Sequence, residues 1–157
     1  TATMESRREI LIGLSISLTG RFSAQGRQAF DGLRLWQFYV NGRDGITIGQ
    51  IAARPVRLVF YDDQSRASLA WENALRLLRQ DRVDALFGPY SSGLTMTVAE
   101  VAHEQRKVLW NHGASSDEIL DRGWQHLVST PTPASDYLSS YLGAGWRGGF
   151  TGGLCTA

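Results

Sequence analysis

The sequence has very little cysteine: Cys155 is the single one among 157 residues. One cysteine cannot form a disulfide within the chain, so the fold has to depend on its hydrophobic core. A chain with almost no cysteine suits a bacterial export route, although one cysteine neither establishes nor excludes an oxidising compartment. The sequence also lacks any run of about 18 apolar residues, the length that a membrane-spanning helix needs.

An excess of charge of one sign is missing as well. Sixteen Lys and Arg side chains oppose fifteen Asp and Glu side chains, which gives a formal net charge of +1. A chain so close to neutral gives no electrostatic reason to expect nucleic acid or an anionic membrane as its main partner. The segment Thr1–Ser6 lacks the charged and then apolar pattern of a signal peptide. Two interpretations stay open at this point: a leader removed before Thr1, or a protein of the cytoplasm.

Four short apolar runs are the most informative feature that is present. Each is followed by a polar turn rich in Gly, Ser or Asp and then by a helical pattern; they are Ile10–Leu14, Val56–Phe60, Val83–Phe87 and Val108–Trp110. Repeated strand–turn–helix units build a parallel sheet with helices on both faces. Because 157 residues fill about one domain, we predict an α/β fold with a Rossmann-like open parallel sheet.

Three helices are predicted between these strands, over about Gln28–Val40, Ser68–Gln80 and Gly93–Gln105. Their apolar residues recur at helical spacing, which predicts one buried face for each helix. The residues predicted to lie on these faces are Phe30, Leu33, Trp36, Gln37 and Val40, then Ala70, Ala74, Leu77 and Leu78, then Leu94, Val98, Val101 and Ala102. The weakly alternating segment Ile46–Arg54 is predicted to form a hairpin or an irregular connection.

The second half of the chain predicts a short helix opening at Ser115 and a fifth strand over Gln125–Ser129. Pro131 and Pro133 cannot join a central ladder, so they mark a crossing or hinge. One more amphipathic helix is predicted over Ala134–Leu142.

The segment Gly143–Ala157 contains six glycines and has neither helical nor strand periodicity. We therefore divide the chain into a lobe over residues 1–130 and a hinge, helix and irregular tail over residues 131–157.

Polar segments follow the predicted strands at the edge where small ligands bind in open parallel sheets, outside the carboxyl ends of the strands. These segments are Ser17–Gly20, Tyr61–Asp63, Gly88–Gly93 and Asn111–Ser116. They contain no obvious nucleophile–base pair, and no Gly-x-Ser-x-Gly elbow occurs. The pattern favours a protein that holds a ligand over one that transforms it.

Cofactor and metal sites have little support. Gly143–Gly148 formally matches the dinucleotide fingerprint, but it follows a predicted helix and no acidic residue comes at the required distance. His103, His112 and His126 show neither the i, i+4 histidine spacing nor a cysteine partner. We therefore expect no cofactor and no metal.

Acidic and hydroxyl side chains at the predicted edge have both a structural and a functional interpretation. Asp62 and Asp63 could form a paired carboxylate, but acids at such strand ends more often cap a helix or hold a loop. Ser92 and Ser115 are expected to cap helices, and Ser115 with Glu118 matches a capping box. Capping is compatible with binding, because helix starts with exposed N–H groups make a seat for a carboxylate.

An ordered set of short motifs resembles the type I periplasmic binding proteins of the branched-chain amino-acid ABC transporter class. The resemblance covers about residues 8–142, and the set is more specific than any one motif. It consists of Ile12–Ser15, Leu18–Gly20, Gln25–Gly26, Asp31–Gly32, Tyr61–Asp63, Gly88–Gly93 and Ala114–Ser116.

This resemblance implies a periplasmic, non-enzymatic protein that binds an amino acid or a related small molecule and delivers it to a membrane permease. Ser91 and Ser92 would hold the ligand carboxylate, Gly113 would offer its carbonyl, and Ser115 its hydroxyl. Gln25 lies where the family often places an aromatic residue beside the ligand. The implied ligand-binding residues are Gln25, Ser91, Ser92, Gly93, Gly113 and Ser115.

The sequence departs from the family pattern in the loop entry Trp110–His112 and in Gln25, which favours an aromatic or more polar ligand over a branched aliphatic one. It also carries no second lobe after Leu142, which we interpret as truncation or an altered reading frame. We therefore expect weak or absent ligand affinity, and self-association through the exposed inter-lobe face. Two rivals stay open: a ligand-sensing regulatory domain of the same fold, and a small α/β enzyme using Asp62 and Asp63.

Overall fold

The computed structural model describes residues 9–139. The elements are β1 (Ile10–Ile16), α1 (Ser23–Asn41), β2 (Ile46–Ile48), β3 (Ile51–Arg54), β4 (Val56–Asp62), α2 (Ala67–Arg79), β5 (Ala85–Phe87), α3 (Ser92–Glu104), β6 (Leu109–Asn111), α4 (Asp117–Asp121) and β7 (Leu127–Ser129), followed by a 3₁₀ turn at Ala134–Asp136. The Gly143–Gly148 pattern, Cys155 and most of the tail predicted over residues 131–157 lie outside the described residues.

Five strands form one parallel sheet in the order β4-β1-β5-β6-β7. The longest pairing joins β1 to β4, in register from Ile10 opposite Val56 to Ile16 opposite Asp62. The chain leaves β1 toward β4 on one side and returns past β1 to β5 on the other. The gap between the carboxyl ends of β1 and β5 is therefore the topological switch point of the sheet, the place where open α/β sheets bind ligands.

Helices cover both faces of the sheet, as the repeated strand–turn–helix units of the sequence predicted. Helices α2 and α3 pack on one face, where Leu11, Leu86 and Leu109 join the larger core cluster. On the other face, Ile10, Ile12 and Val56 form a smaller cluster, against which α1 packs Trp36 and Val40. All eight residues predicted to be buried in the second and third helices belong to the larger cluster: Ala70, Ala74, Leu77, Leu78, Leu94, Val98, Val101 and Ala102. The hairpin alternative for Ile46–Arg54 is also confirmed, because β2 and β3 pair antiparallel.

The start of α1 differs from the sequence prediction: the helix begins at Ser23 rather than Gln28. The reason is a close approach between its first turn and the end of β1. Gly26 is buried, and a Cβ atom there would collide with the Ser17 carbonyl oxygen. This contact depends on a glycine in the first turn, and helical periodicity alone carries no sign of it.

The prediction of a helix over Ala134–Leu142 also differs from the structure at its start, where Ala134–Asp136 form a 3₁₀ turn. The Ala134 N–H donates to the Ser115 carbonyl at 2.8 Å, and the Ser135 hydroxyl donates to Asp117 at 2.6 Å. These bonds hold the segment against the loop that precedes α4. Residues 140–142 of the predicted helix lie outside the described part of the chain. Across residues 9–139, no helix has both the length and the apolar character needed to cross a membrane.

Candidate ligand site

Four loops lie at the edge of the sheet that contains the switch point. One loop follows each of β1, β4, β5 and β6. They cover residues 17–22, 63–66, 88–91 and 112–116. Because all four strands are parallel, their carboxyl ends share one edge, and the sequence prediction that these polar segments lie together is confirmed. The loops after β1 and β4 are tied to each other, and the loops after β5 and β6 form a second pair.

Asp63 joins the first pair of loops from a fully buried position. Its carboxylate accepts hydrogen bonds from the Ser17 hydroxyl at 2.6 Å, the Ser15 hydroxyl at 3.3 Å and the Ser65 N–H at 2.8 Å. Burial raises the pKa of the Asp63 carboxyl, and the bonds from Ser17, Ser65 and Ser15 partly offset that effect. These bonds join the end of β1 and the loop after it to the loop after β4, so Asp63 holds the two loops together.

Asp62 ties the same two loops together on the side nearer to solvent. One carboxylate oxygen accepts from the N–H groups of Leu18 at 2.9 Å, Thr19 at 3.3 Å and Gln64 at 2.8 Å. The other accepts from the Thr19 hydroxyl at 2.6 Å. Gln64 and Ser65 both have positive φ angles, a strained conformation for residues with a side chain, and the two aspartates hold their N–H groups. The interpretation of Asp62 and Asp63 as loop-holding residues is therefore confirmed.

A pH dependence follows from Asp62. Burial alone would raise its pKa, but the bonds from the Thr19 hydroxyl and from the Gln64, Leu18 and Thr19 N–H groups outweigh burial and lower the pKa below its ordinary value. A lowered pKa contributes stability that is present above about pH 4 and is lost as the pH falls further. Asp62→Asn should therefore cost about 1 kcal/mol at pH 7, since charge-assisted hydrogen bonds are lost. The cost should shrink toward pH 3.

Urea unfolding of both chains between pH 3 and pH 7 measures this difference. Asp121→Asn, at an exposed position on α4, is the control and should leave the pH profile unchanged. A constant difference between Asp62→Asn and the unmodified chain across this range would contradict the assignment.

The loop after β5 ends at the first turn of α3. Ser91 is the N-cap, and its hydroxyl oxygen accepts from the Leu94 N–H at 3.3 Å, while its carbonyl accepts from the Thr95 N–H at 2.9 Å. The first N–H groups of a helix have no intrahelical acceptor, which leaves those of Ser92 and Gly93 directed out of the helix start. Positive partial charge concentrates at such a start and favours an anion.

Asn111 organises the loop after β6, and the sequence analysis did not identify it as a site residue. Its side-chain amide donates to the Ala114 carbonyl at 2.7 Å and the Ser129 hydroxyl at 2.9 Å. Its side-chain oxygen accepts from the N–H groups of Gly113 at 3.3 Å and Ala114 at 2.8 Å. An asparagine directly after a strand is a frequent turn former, and that signal could have identified it. The fully buried Asn111 side chain fixes the loop that carries Gly113 and Ser115.

The loops after β5 and β6 touch each other at Gly113. A Cβ atom on Gly113 would lie 3.1 Å from the Tyr90 carbonyl oxygen and 3.2 Å from the Tyr90 Cα. The Tyr90 ring also packs against Phe22, which precedes α1, with ring centroids 6.4 Å apart. Tyr90 therefore lies between the start of α1 and the loop after β6, and it is exposed at the edge.

Two polar atoms near this edge are buried without a hydrogen-bond partner among the described residues: Gln25 Oε1 and His112 Nε2. Burial lowers the pKa of His112, although its hydrogen bonds to the backbone of Gly88 and of His112 itself oppose the shift. A lowered pKa favours the neutral imidazole, whose second nitrogen is an acceptor. Both unpartnered atoms are thus able to accept a hydrogen bond.

The structure places all six predicted ligand-binding residues at the same edge, and two capping assignments are wrong. Ser91 rather than Ser92 caps α3, because the helix begins one residue earlier than predicted. Ser116 rather than Ser115 precedes α4, without any side-chain cap bond. The Ser115 carbonyl instead accepts from Ala134. Helix α4 contains five residues, so of the two helices that follow β5 and β6, α3 supplies the full helix start.

The described residues contain no group of three His, Cys, Asp or Glu side chains that could hold a metal ion.

A sequence profile described as periplasmic binding protein matches residues 9–149. The chain belongs to this family. Periplasmic binding proteins with solved structures show the same fold, and the predicted resemblance to the type I branched-chain amino-acid class is confirmed.

One similar structure is the branched-chain amino-acid transporter substrate-binding protein LivJ of Streptococcus pneumoniae in complex with isoleucine, which is 25% identical, with a TM-score of 0.73 over 86% of this chain. A solute-binding protein from Rhodopseudomonas palustris BisB5 in complex with 3,4-dihydroxybenzoic acid is 17% identical, with a TM-score of 0.75 over 91% of this chain. The leucine-binding protein LivK of Thermotoga maritima is 18% identical, with a TM-score of 0.71 over 88% of this chain. The chain covers 39% of the LivJ structure and 37% of each of the other two.

Proposed function

We propose that this chain is the N-terminal lobe of a periplasmic solute-binding protein that holds an amino acid or a related small carboxylate. The lobe would comprise residues 1–130, with a hinge and the first helix of a second lobe after them. In this function the protein carries out no chemistry and passes its ligand to an ABC-transporter permease. Membership of the family supports the class, and the substrate-binding proteins named above supply the ligand chemistry.

The observation that carries the proposal is the contact between the loops after β5 and β6, beside the switch point between β1 and β5. The N–H groups of Ser92 and Gly93 and the Ser91 hydroxyl lie on one side of this contact. The Ser91 hydroxyl oxygen is occupied by the Leu94 N–H, but its hydrogen is still available to donate to a carboxylate. The Gly113 carbonyl and the Ser115 hydroxyl lie on the other side. Their oxygen atoms would accept hydrogen bonds from an ammonium group of the ligand.

Gln25 and His112 indicate that the ligand has a hydrogen-bond donor beyond its charged groups. Each has a buried acceptor atom without a donor among the described residues, and a buried polar atom left unpaired is costly. A ligand N–H or O–H group at this edge would supply a donor. This supports a polar or aromatic ligand over a branched aliphatic one, which is the direction that Gln25 predicted.

A ligand titration of the chain followed by nuclear magnetic resonance tests the proposal. L-Leucine and 3,4-dihydroxybenzoate are titrated separately, with methylamine and acetate as incomplete probes. We expect saturable shifts at the amides of Ser91–Gly93 and Gly113–Ser115. The dissociation constant should be millimolar, because the chain covers 39% of the LivJ structure and supplies part of the contacts.

A matched pair of hydroxyl deletions gives this titration its control. Ser115→Ala should weaken binding about tenfold, as expected for a lost hydrogen bond to a charged group. Thr47→Ala, on the exposed face of the β2–β3 hairpin, should leave binding unchanged. Shifts that do not saturate, or that occur away from the two loops, would refute the site. Micromolar or tighter binding in calorimetry would refute the one-lobe interpretation.

A further inference from the structure

The outer face of α1 carries three large apolar side chains in one helical turn. Leu35 is 68% exposed, Phe38 79% and Tyr39 54%; we call these three residues the α1 patch. The opposite face of the helix packs Trp36 and Val40 onto the sheet. An amphipathic surface helix normally turns charged or polar residues to solvent. A cluster of large apolar side chains there marks an interaction surface.

The packing of the layers does not place another segment of the same chain over the α1 patch. Beside α1, on the same face of the sheet, Trp110 is 40% exposed and Val128 41% exposed. Trp110 extends an edge-on ring contact from Phe87, which is packed in the α1-side cluster. A further helix completing this layer would lie over Trp110 and Val128. The α1 patch lies outside that layer and would stay exposed.

We propose that the α1 patch is the contact between two copies of this chain, with the two α1 helices antiparallel about a two-fold axis at Leu35. In a two-fold interface each residue meets the same surface of the other copy, so the patch has to be self-complementary. Leu35 then meets Leu35 of the second copy. Phe38 meets Gly32 of the second copy, because Gly32 lies as far before Leu35 as Phe38 lies after it.

Gly32 and the surrounding charges fit this arrangement. A Cβ atom on Gly32 would meet nothing within 4 Å, so the helix has an open notch that can receive a ring. Asp31 is exposed and forms no ion pair within residues 9–139. In the antiparallel arrangement Asp31 faces Tyr39 of the second copy. The Arg43 guanidinium of that copy lies over the Tyr39 ring, 4.3 Å from the ring centroid. An Asp31 carboxylate therefore lies near the Arg43 guanidinium of the other copy at both ends of the contact. Arg27 lies opposite Arg43 in the same register, but its guanidinium donates to the Leu18 carbonyl at 3.0 Å.

Sedimentation equilibrium of the chain tests the proposal, with a reversible dimer as the expected result. Phe38→Glu should raise the dimer dissociation constant at least about 30-fold, because a central aromatic contact is lost. Gly32→Gln should raise it by a similar factor while preserving the monomer, since glutamine is a better helix former than glycine. Leu138→Glu, at a residue that is 61% exposed elsewhere on the surface, should leave the dimer unchanged.

Disulfide trapping in a Cys155→Ser background tests the position of the axis. Leu35→Cys should cross-link to its own copy under mild oxidation, because residues at a two-fold axis approach within disulfide distance. Gln28→Cys, on the exposed side of the same helix, should not cross-link. A monomer at every concentration would overturn the proposal, as would a dimer that tolerates Gly32→Gln. Loss of the dimer on Tyr90→Ser but not on Phe38→Glu would instead place the contact on the inter-lobe face. None of these outcomes depends on ligand binding, so the dimer and the proposed function fail separately.

Discussion

Replacing Asp63 with alanine is expected to lower the free energy of unfolding by about 4 kcal/mol, a large share of the 5–15 kcal/mol typical of a domain. The side chain is fully buried and accepts three hydrogen bonds. Alanine would leave the hydroxyls of Ser15 and Ser17 and the Ser65 N–H without their acceptor. It would also remove the tie that holds Ser65 at its positive φ angle.

Urea denaturation followed by circular dichroism measures this loss, and Asp117→Ala is the matched control. Asp117 also accepts a hydroxyl and an N–H, both from Ser135, at 2.6 and 3.3 Å, but these bonds are exposed. Water replaces exposed bonds, so this variant should lose no more than about 1 kcal/mol. Equal effects of the two substitutions would show that burial of the Asp63 cluster contributes nothing.

Asn111→Ala is the second substitution with a large expected effect, about 3 kcal/mol, because four hydrogen bonds of a buried amide are lost together. The loop that carries Gly113 and Ser115 should also lose its fixed conformation. We therefore expect the ligand-induced shifts of Ser115 to weaken by more than the shifts of Ser92.

The control for Asn111 is the same substitution at Asn73. That side chain is half-buried, and its amide donates two longer bonds, to the Asp62 carbonyl at 3.2 Å and the Ser15 hydroxyl at 3.4 Å. Asn73→Ala should cost about 1 kcal/mol and leave the Ser115 shifts unchanged. If Asn111→Ala unfolds the chain, Ser129→Ala removes one of its partners and should reduce the Ser115 response in a folded protein. An unaltered Ser115 response in every folded variant would contradict the role of Asn111.

The periodicities of the sequence predicted much of the fold. Every residue predicted to be buried in α2 and α3 is buried, because helical spacing places residues such as Ala70 and Ala74 on one side irrespective of the partner. Helix α3 also buries Thr95 and Ala99, which the prediction omitted. The edge that collects the loops also followed from the sequence, since parallel strands share one carboxyl end. Helix starts were less accurate: α1 begins at Ser23 rather than Gln28, and α3 at Ser92 rather than Gly93. There, contacts with other parts of the chain, such as Gly26 against Ser17, decided where the helix begins.

The sequence by itself determined the order of strands and helices, the faces they bury and the sheet edge at which the polar loops lie, because these depend on local spacing and on parallel connections. The tertiary structure alone decided the partners of the polar groups. Asp63 meets Ser17 across 46 positions and Asn111 meets Ser129 across 18. It also decided that Leu35 and Phe38 point away from the sheet while Trp36 packs onto it. Hydrogen-bond partners and surface exposure depend on distances between remote segments, and those distances exist only once the layers have packed.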